Sequence, residues 1–237
     1  MDLTSLISYA LITLVVVAAS ALQAGTGMGM ALLAAPLLLL INSDLVPGPM
    51  LCSVVVLSLA VGWRERAAID ARQLALALTG LTAGSIIGAL AIILLKGVHL
   101  APIFAAVILA MVLLSLFMDV RASRPTLLIG GAAAGIVGTM FGVHGPPIGI
   151  VLQHEPPESL RATLCAFFAV GCTISLLALA VIGAFGIRQI GLGLELLPGV
   201  AIGFAFAPIV SRMLTRRRAR IAVLTISTIS ALALFTR

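Results

Sequence analysis

Charge is what this sequence has least of. Of 237 residues, 14 are basic and 8 acidic, 9% in all, where soluble domains carry about a quarter. Aromatic residues are also few, at 5%, with one Trp and one Tyr. A soluble chain with 62% hydrophobic residues would have to expose large apolar patches, which soluble monomers rarely tolerate. Soluble enzymes and nucleic-acid binders are therefore excluded, despite a formal charge of +6. Cysteine is scarce too. Cys52, Cys165 and Cys172 all lie inside apolar runs, so no disulfide framework is implied and they read as small buried hydrophobes. There is no CxxC and no histidine-rich cluster to suggest a metal site, and no cofactor is implied. Met1-Asp2 lacks a basic region and a cleavage site, so the first apolar run is expected to be retained as a helix.

What remains is a polytopic, all-α membrane protein. At roughly 20 residues per span, about eight membrane segments use up the chain and leave no room for a soluble domain. The apolar runs fall at about 4–24, 27–41, 46–62, 72–95, 100–118, 126–141, 146–153, 161–182, 197–211 and 221–236. The charges stand at or just within the ends of these runs, Arg72, Arg161 and Glu195 included. A charge in mid-membrane is costly and usually functional. With none expected there, a relay of paired carboxylates is excluded.

Two runs are too short to cross. Residues 27–41 rise about 22 Å as a helix and 146–153 about 12 Å, against a hydrocarbon core of about 30 Å. Each follows a longer run across a glycine-rich break, at 23–29 and at 138–147. Glycine and proline at that density stop helices. Both stretches read as helical hairpins with unwound tips, which membranes tolerate only when buried in protein or lining a wet cavity.

Basic residues orient the chain. Arg212, Arg216, Arg217, Arg218 and Arg220 place 212–220 in the cytoplasm, and Arg64, Arg66 and Arg72 do the same for 63–72. Counting crossings puts Arg121, Arg124 and Arg161 inside as well, provided 126–153 returns to the side it left. A single crossing there would expel one of these basic loops. The same logic makes 4–41 a hairpin entered from outside. The chain then divides into repeat one, 1–118, and repeat two, 126–237. Each is a glycine-broken helical hairpin followed by three transmembrane helices, in opposite orientation. Echoes support the division: Gly25-Thr26 with Gly138-Thr139 and Cys52 with Cys165 at an offset of 113, and Gly80, Gly84, Gly88 with Gly199, Gly203, Ala207 at an offset of 119. Small residues four apart let helices approach closely in lipid. Inverted repeats are the architecture of many secondary transporters.

In such proteins the broken helices offer unpaired N–H groups to anions near the midplane. The candidate ligand contacts are the tip backbone at Gly25, Gly27, Gly29, Gly142, Gly145 and Pro146, with side chains of Gln23, Thr26, Thr139, His144 and Gln153. The tips, entering from opposite faces, are expected to meet. Glycines that only permit helix packing are the alternative. His144 stands alone in a break; charged, it attracts an anion, and neutral, it donates one hydrogen bond. Arg161 serves as an orientation anchor or guides anions at the cytoplasmic mouth. Arg64-Glu65-Arg66 and Asp70-Arg72 read as an ion-paired interfacial loop with Trp63 as aromatic anchor. The block Arg216–Arg218 reads as a topology signal with anionic-lipid contact.

These residues carry a family resemblance over nearly the whole chain. The glycine break and later proline in Gly25–Pro36 resemble the TauE/SafE family of sulfite and organosulfonate exporters. So do Arg66–Arg72 leading into Gly80–Gly88, Phe141–Pro147, and Pro156-Pro157-Glu158-Ser159-Leu160-Arg161-Ala162-Thr163. The resemblance implies two related halves with a small-anion permeation site at their glycine signatures. The chain departs from the pattern at Met28 and His144, where that family commonly has glycine.

The expected function is a secondary transporter exporting small anions, sulfite or organosulfonates first among them, across the plasma membrane. Partners are the anion and membrane lipids, with no nucleic acid; self-association is left open. No Walker phosphate loop is present, so ATP is not the direct energy source. An anion channel and a transporter of another organic anion, such as a carboxylate, are the alternatives. A membrane enzyme needs a nucleophile and base at depth, and the chain has neither GxSxG nor HExxH.

Overall fold

A computed structural model describes residues 3–213 and 216–235, with side chains at 6–213 and 221–234. The arginine block 216–218 therefore falls outside the described side chains, and Met1-Asp2 outside the described residues. The described chain is helical: α1 (Leu3–Thr26), α2 (Met30–Ile41), α3 (Gly48–Arg64), α4 (Ala71–Leu94), α5 (Leu100–Phe117), α6 (Arg124–Phe141), α7 (Gly145–Val151), α8 (Pro157–Val181), α9 (Ile187–Met213) and α10 (Arg216–Phe235). Short 3-10 turns lie at Ser43–Leu45 and Arg66–Ala68.

Six of these helices, α1, α4, α5, α6, α8 and α9, are long and apolar enough to cross a membrane; α2, α3 and α10 contribute shorter apolar stretches. Large apolar side chains such as Leu94, Phe117, Val181 and Ile187 stand almost fully outward. Such a surface suits lipid rather than water. The protein is thus a multi-pass membrane protein.

Glycine sets the closest helix contacts. A Cβ at Gly80, Gly84, Gly131 or Gly135 would run into the backbone of the facing helix, α6 for the first two and α4 for the others. At Gly203 it would lie 2.5 Å from the Val17 carbonyl oxygen. So α4 lies along α6, and α9 along α1, backbone against backbone. α3 packs along α8, α5 along α10, and α3 and α8 also flank α9 and α4 respectively.

The hairpins are present, with shorter breaks than the sequence suggests. α1 continues through Thr26 and only 27–29 leave helical geometry; α6 continues through Phe141 and α7 restarts at Gly145. Pro146 and Pro147 fall in the first turn of α7, where a missing N–H costs nothing. The turns need left-handed backbone at Gly27 (φ 86°), Gly29 (φ 123°) and Gly142 (φ 79°), which other residues adopt only with strain.

Ion pairs fix both ends of the bundle. On the arginine-rich face Arg161 Nε donates to Glu65 Oε2 at 2.6 Å, and His154 meets Asp119, so 119 and 154 share a face. On the opposite face Arg188 pairs with Asp44. Two expectations need correction. Asp70 does not pair with Arg72; its carboxylate caps α4, accepting from the N–H groups of Arg72 and Gln73. Glu195 is not at a segment end, because α9 begins at Ile187. Glu195 faces a groove of about 330 Å³ shared with Tyr9, Thr13 and Asn42.

Candidate functional site

A cavity of about 440 Å³ lies between the two hairpins. The first hairpin lines it with Gln23, Thr26, Met28, Gly29 and Ala31, the second with Gly142, His144, Gly145, Pro146 and Gly149. Val54 of α3 and Phe168 and Cys172 of α8 close the apolar side. Ser115, Gln153 and the exposed His154 line it at the arginine-rich face, so the cavity reaches that face.

The two turns do not meet at a common midpoint. Gly27 packs on Arg161 near the start of α8, where a Cβ would stand 2.9 Å from the Arg161 Cα. Gly142 packs beside Met50 and Pro47 at the start of α3. α3 and α8 run antiparallel, so the turns sit at opposite ends of that pair. The hairpins come together instead through Met28 and α7. A Cβ at Gly149 would overlap the Met28 sulfur.

Each hairpin is held by buried polar contacts. Gln23 Nε2 donates to Ser58 Oγ at 3.1 Å. The Thr26 hydroxyl reaches the carbonyl oxygens of Leu22 and Met28, each at 2.8 Å, which fixes the path of the first turn. In the second hairpin Ser175 is the hub. Thr139 Oγ1 donates to Ser175 Oγ at 2.8 Å, Ser85 Oγ lies 3.3 Å away, and His144 Nε2 lies 2.9 Å from the same oxygen. His144 Nδ1 faces Cys172 Sγ at 3.7 Å. The His144 ring covers Gly138 so closely that no Cβ fits between them. It is 2% exposed, engaged on both nitrogens, and borders the cavity.

The expected site residues therefore divide. Gln23, Thr26, Gly29, Gly142, His144, Gly145, Pro146 and Gln153 border the cavity. The lining does not include Gly25, Gly27, Thr139 or Arg161: Gly25 packs on α9 near Ala207 and Ser211, Thr139 serves Ser175, and Arg161 serves Glu65 and Gly27. Gln153 turns its amide to the Met118 carbonyl oxygen, 3.2 Å away. Phe168, Cys172 and Ser115 border the cavity without any sequence signal, because they lie within uniform apolar helices. Gly149 had one signal, a glycine inside a short helix.

Among the described residues, the basic side chains that line the cavity are the imidazoles of His144 and His154. Hydrogen bonds to an anion would come from backbone. The first turn of α2, at Gly29, Ala31 and Leu32, borders the cavity. Its N–H groups precede the first i→i−4 bond, from Leu33 N to Gly29 O, so the helix leaves them unpaired. α7 is poorer in donors, since Pro146 and Pro147 have no N–H. Among the described residues, no three His, Cys, Asp or Glu side chains are grouped to hold a metal ion.

Residues 12–234 match the family model described as Sulfite exporter TauE/SafE. No curated protein and no solved structure matches the chain.

Proposed function

From the premise that the chain belongs to the sulfite exporter TauE/SafE family, we propose that it exports small sulfur oxyanions across the plasma membrane as a secondary transporter. The observation that carries this reading is the cavity enclosed by both glycine hairpins and bordered by the donor-rich first turn of α2. A desolvated anion needs several hydrogen-bond donors to replace water, and helix N-termini supply them. The substrate site comprises Gly29, Gly142, Gly145 and Pro146, with Gln23, Thr26, His144 and Gln153 around them. Gly25, Gly27, Thr139 and Arg161 support the hairpins that form it.

The fold belongs to the same reading. Repeat one is 1–118 and repeat two is 126–237, inverted with respect to each other. Exchanging α1 with α6, α2 with α7, α3 with α8, α4 with α9 and α5 with α10 returns the main packing pairs onto themselves. α4 on α6 becomes α9 on α1, and α3 on α9 becomes α8 on α4. Rocking of one half against the other would then present the cavity to alternate faces.

The test is flux into and out of proteoliposomes holding the purified protein, with sulfite, an alkanesulfonate, sulfate and a short carboxylate offered in parallel. Saturable, trans-stimulated sulfite flux is the expected result. Carboxylate flux without sulfite flux overturns the substrate assignment, and a large unitary conductance overturns the carrier in favour of a channel.

A further inference from the structure

Met28 is a bulky side chain that reaches from one hairpin to the other beside the cavity. Left-handed glycines flank it on both sides, Gly27 and Gly29, and the Thr26 hydroxyl holds its carbonyl oxygen at 2.8 Å. The first turn therefore fixes where the Met28 backbone stands. Its thioether lies against Gly149 of α7, and both residues line the cavity. Within 4 Å of the place a Cβ would take at Gly149, the only atoms reached beyond its own helix, among the described residues, are the Met28 Sδ and Cε. With those two atoms gone, no other described atom beyond its own helix would stand within 4 Å of that Cβ.

We propose that Met28 determines which anions this protein carries, an inference that rests on the sulfur-oxyanion reading above. Met28 stands next to Gly29, where the donor-rich turn of α2 begins, and its side chain takes up the space beside that turn. A thioether donates no hydrogen bond and is soft and adaptable, so it contributes volume rather than affinity. A compact oxyanion such as sulfite fits beside it. A sulfonate, with the same charged head and an organic tail, needs the room that the thioether and the facing Gly149 share. Met28 thus sorts compact sulfur oxyanions from tailed ones by exclusion, and Gly149 is glycine because the methionine needs the place of its Cβ.

A double-mutant cycle in proteoliposomes tests this, with sulfite and butane-1-sulfonate as the probes. The wild-type protein is expected to move sulfite at least about tenfold faster than butanesulfonate, the scale on which a few methylenes are discriminated in an apolar pocket. Met28→Ala raises butanesulfonate flux by about tenfold and leaves sulfite within about threefold of wild type. Gly149→Ala pushes the thioether into the cavity and slows both probes. Adding Met28→Ala to Gly149→Ala restores both, because the new Cβ then meets no described atom beyond its own helix within 4 Å. An unchanged sulfite-to-sulfonate ratio in a folded Met28→Ala protein overturns the proposal. So does a double variant as impaired as Gly149→Ala alone. A wild-type protein that carries neither probe overturns the sulfur-oxyanion reading itself, and this one with it. Sulfite flux with no effect of Met28→Ala overturns this one only.

Discussion

Whether a glycine serves a ligand or a neighbouring helix depends on what a Cβ would meet there. At Gly84 it would run into the Ala132 carbonyl, an obstacle that no rotamer change removes. Overpacking by side chains costs about 1–3 kcal/mol, and a backbone obstacle places Gly84→Ala at or above the top of that range. Its folded yield and unfolding temperature should fall sharply, while Gly191→Ala, with nothing within 4 Å, should leave both unchanged. Gly145 is the informative case at the site. It borders the cavity, and a Cβ there would meet only Phe168 Cζ, at an ordinary 3.7 Å. Gly145→Ala should fold with wild-type stability and slow anion flux several-fold. Normal flux would remove the second hairpin's tip from the site. The turn glycines make poorer probes, because at Gly29 and Gly142 a positive φ adds backbone strain to any block of the ligand. His144 shows where sequence reading stops. Its place in a glycine break marked it as a ligand contact, but its partners Ser175 and Cys172 come from α8, about thirty residues on. No local spacing announces that meeting. His144→Ala would leave Ser175 without one partner and empty the space over Gly138. A loss of about 1–3 kcal/mol is expected for breaking such buried hydrogen bonds, measurable as a lower unfolding temperature at constant pH.

Between elements, the scarce charges identify the joints. Glu65 accepts from Arg64 at 3.0 Å and from Arg161 at 2.6 Å, with its side chain only 14% exposed. The Arg161 stem also supports the backbone of Gly27. One arginine therefore ties the α3–α4 connection, the start of α8 and the first hairpin together. Arg161→Ala should destabilise the protein because it leaves a largely buried carboxylate short of a partner. Removing Glu65 as well should recover part of the loss, with a coupling of about 0.5–3 kcal/mol. Additive losses in the double variant would show that the pair is an incidental surface contact. The joints also explain what the sequence disclosed about the elements. Hairpins were legible because helix length and arginine placement are both one-dimensional properties. The extents of the breaks were not, since Gly138 and Pro146 read as helix breakers. In the structure one is the glycine that the His144 ring covers, and the other occupies a first helical turn. The start of α9 was obscured by Arg188 and Glu195, which precede the apolar run at 197–211. The helix absorbs them because Arg188 reaches Asp44 at the face and Glu195 faces a groove.

For the molecule as a whole, the question is which side each end of the bundle faces. His154 meets Asp119, so the chain between them leaves one face and returns to it. α8 then crosses once before Arg188, which pairs with Asp44 on the far side. Position 121 and position 188 are therefore expected on opposite sides of the membrane, with 121 on the side that holds most of the arginines. Basic loops are retained in the cytoplasm. In a background with Cys52, Cys165 and Cys172 replaced by alanine, Arg188→Cys should react with an impermeant maleimide added to intact cells. Arg121→Cys should react only after the cells are opened. Both positions are exposed, so failure to label reports sidedness rather than burial. Labelling of both from the same side would mean that α6 and α7 together cross the membrane once. The second hairpin would then not return, the two halves would share one orientation, and the exchange of packing pairs between them could not reflect an inverted repeat. A cavity reaching the arginine-rich face would then have no counterpart state on the other side, and alternating access would lose its structural basis. The reverse sidedness, 121 outside and 188 inside, would keep the repeat but turn the cavity outward, and an exporter would have to load its anion from the wrong side in this conformation.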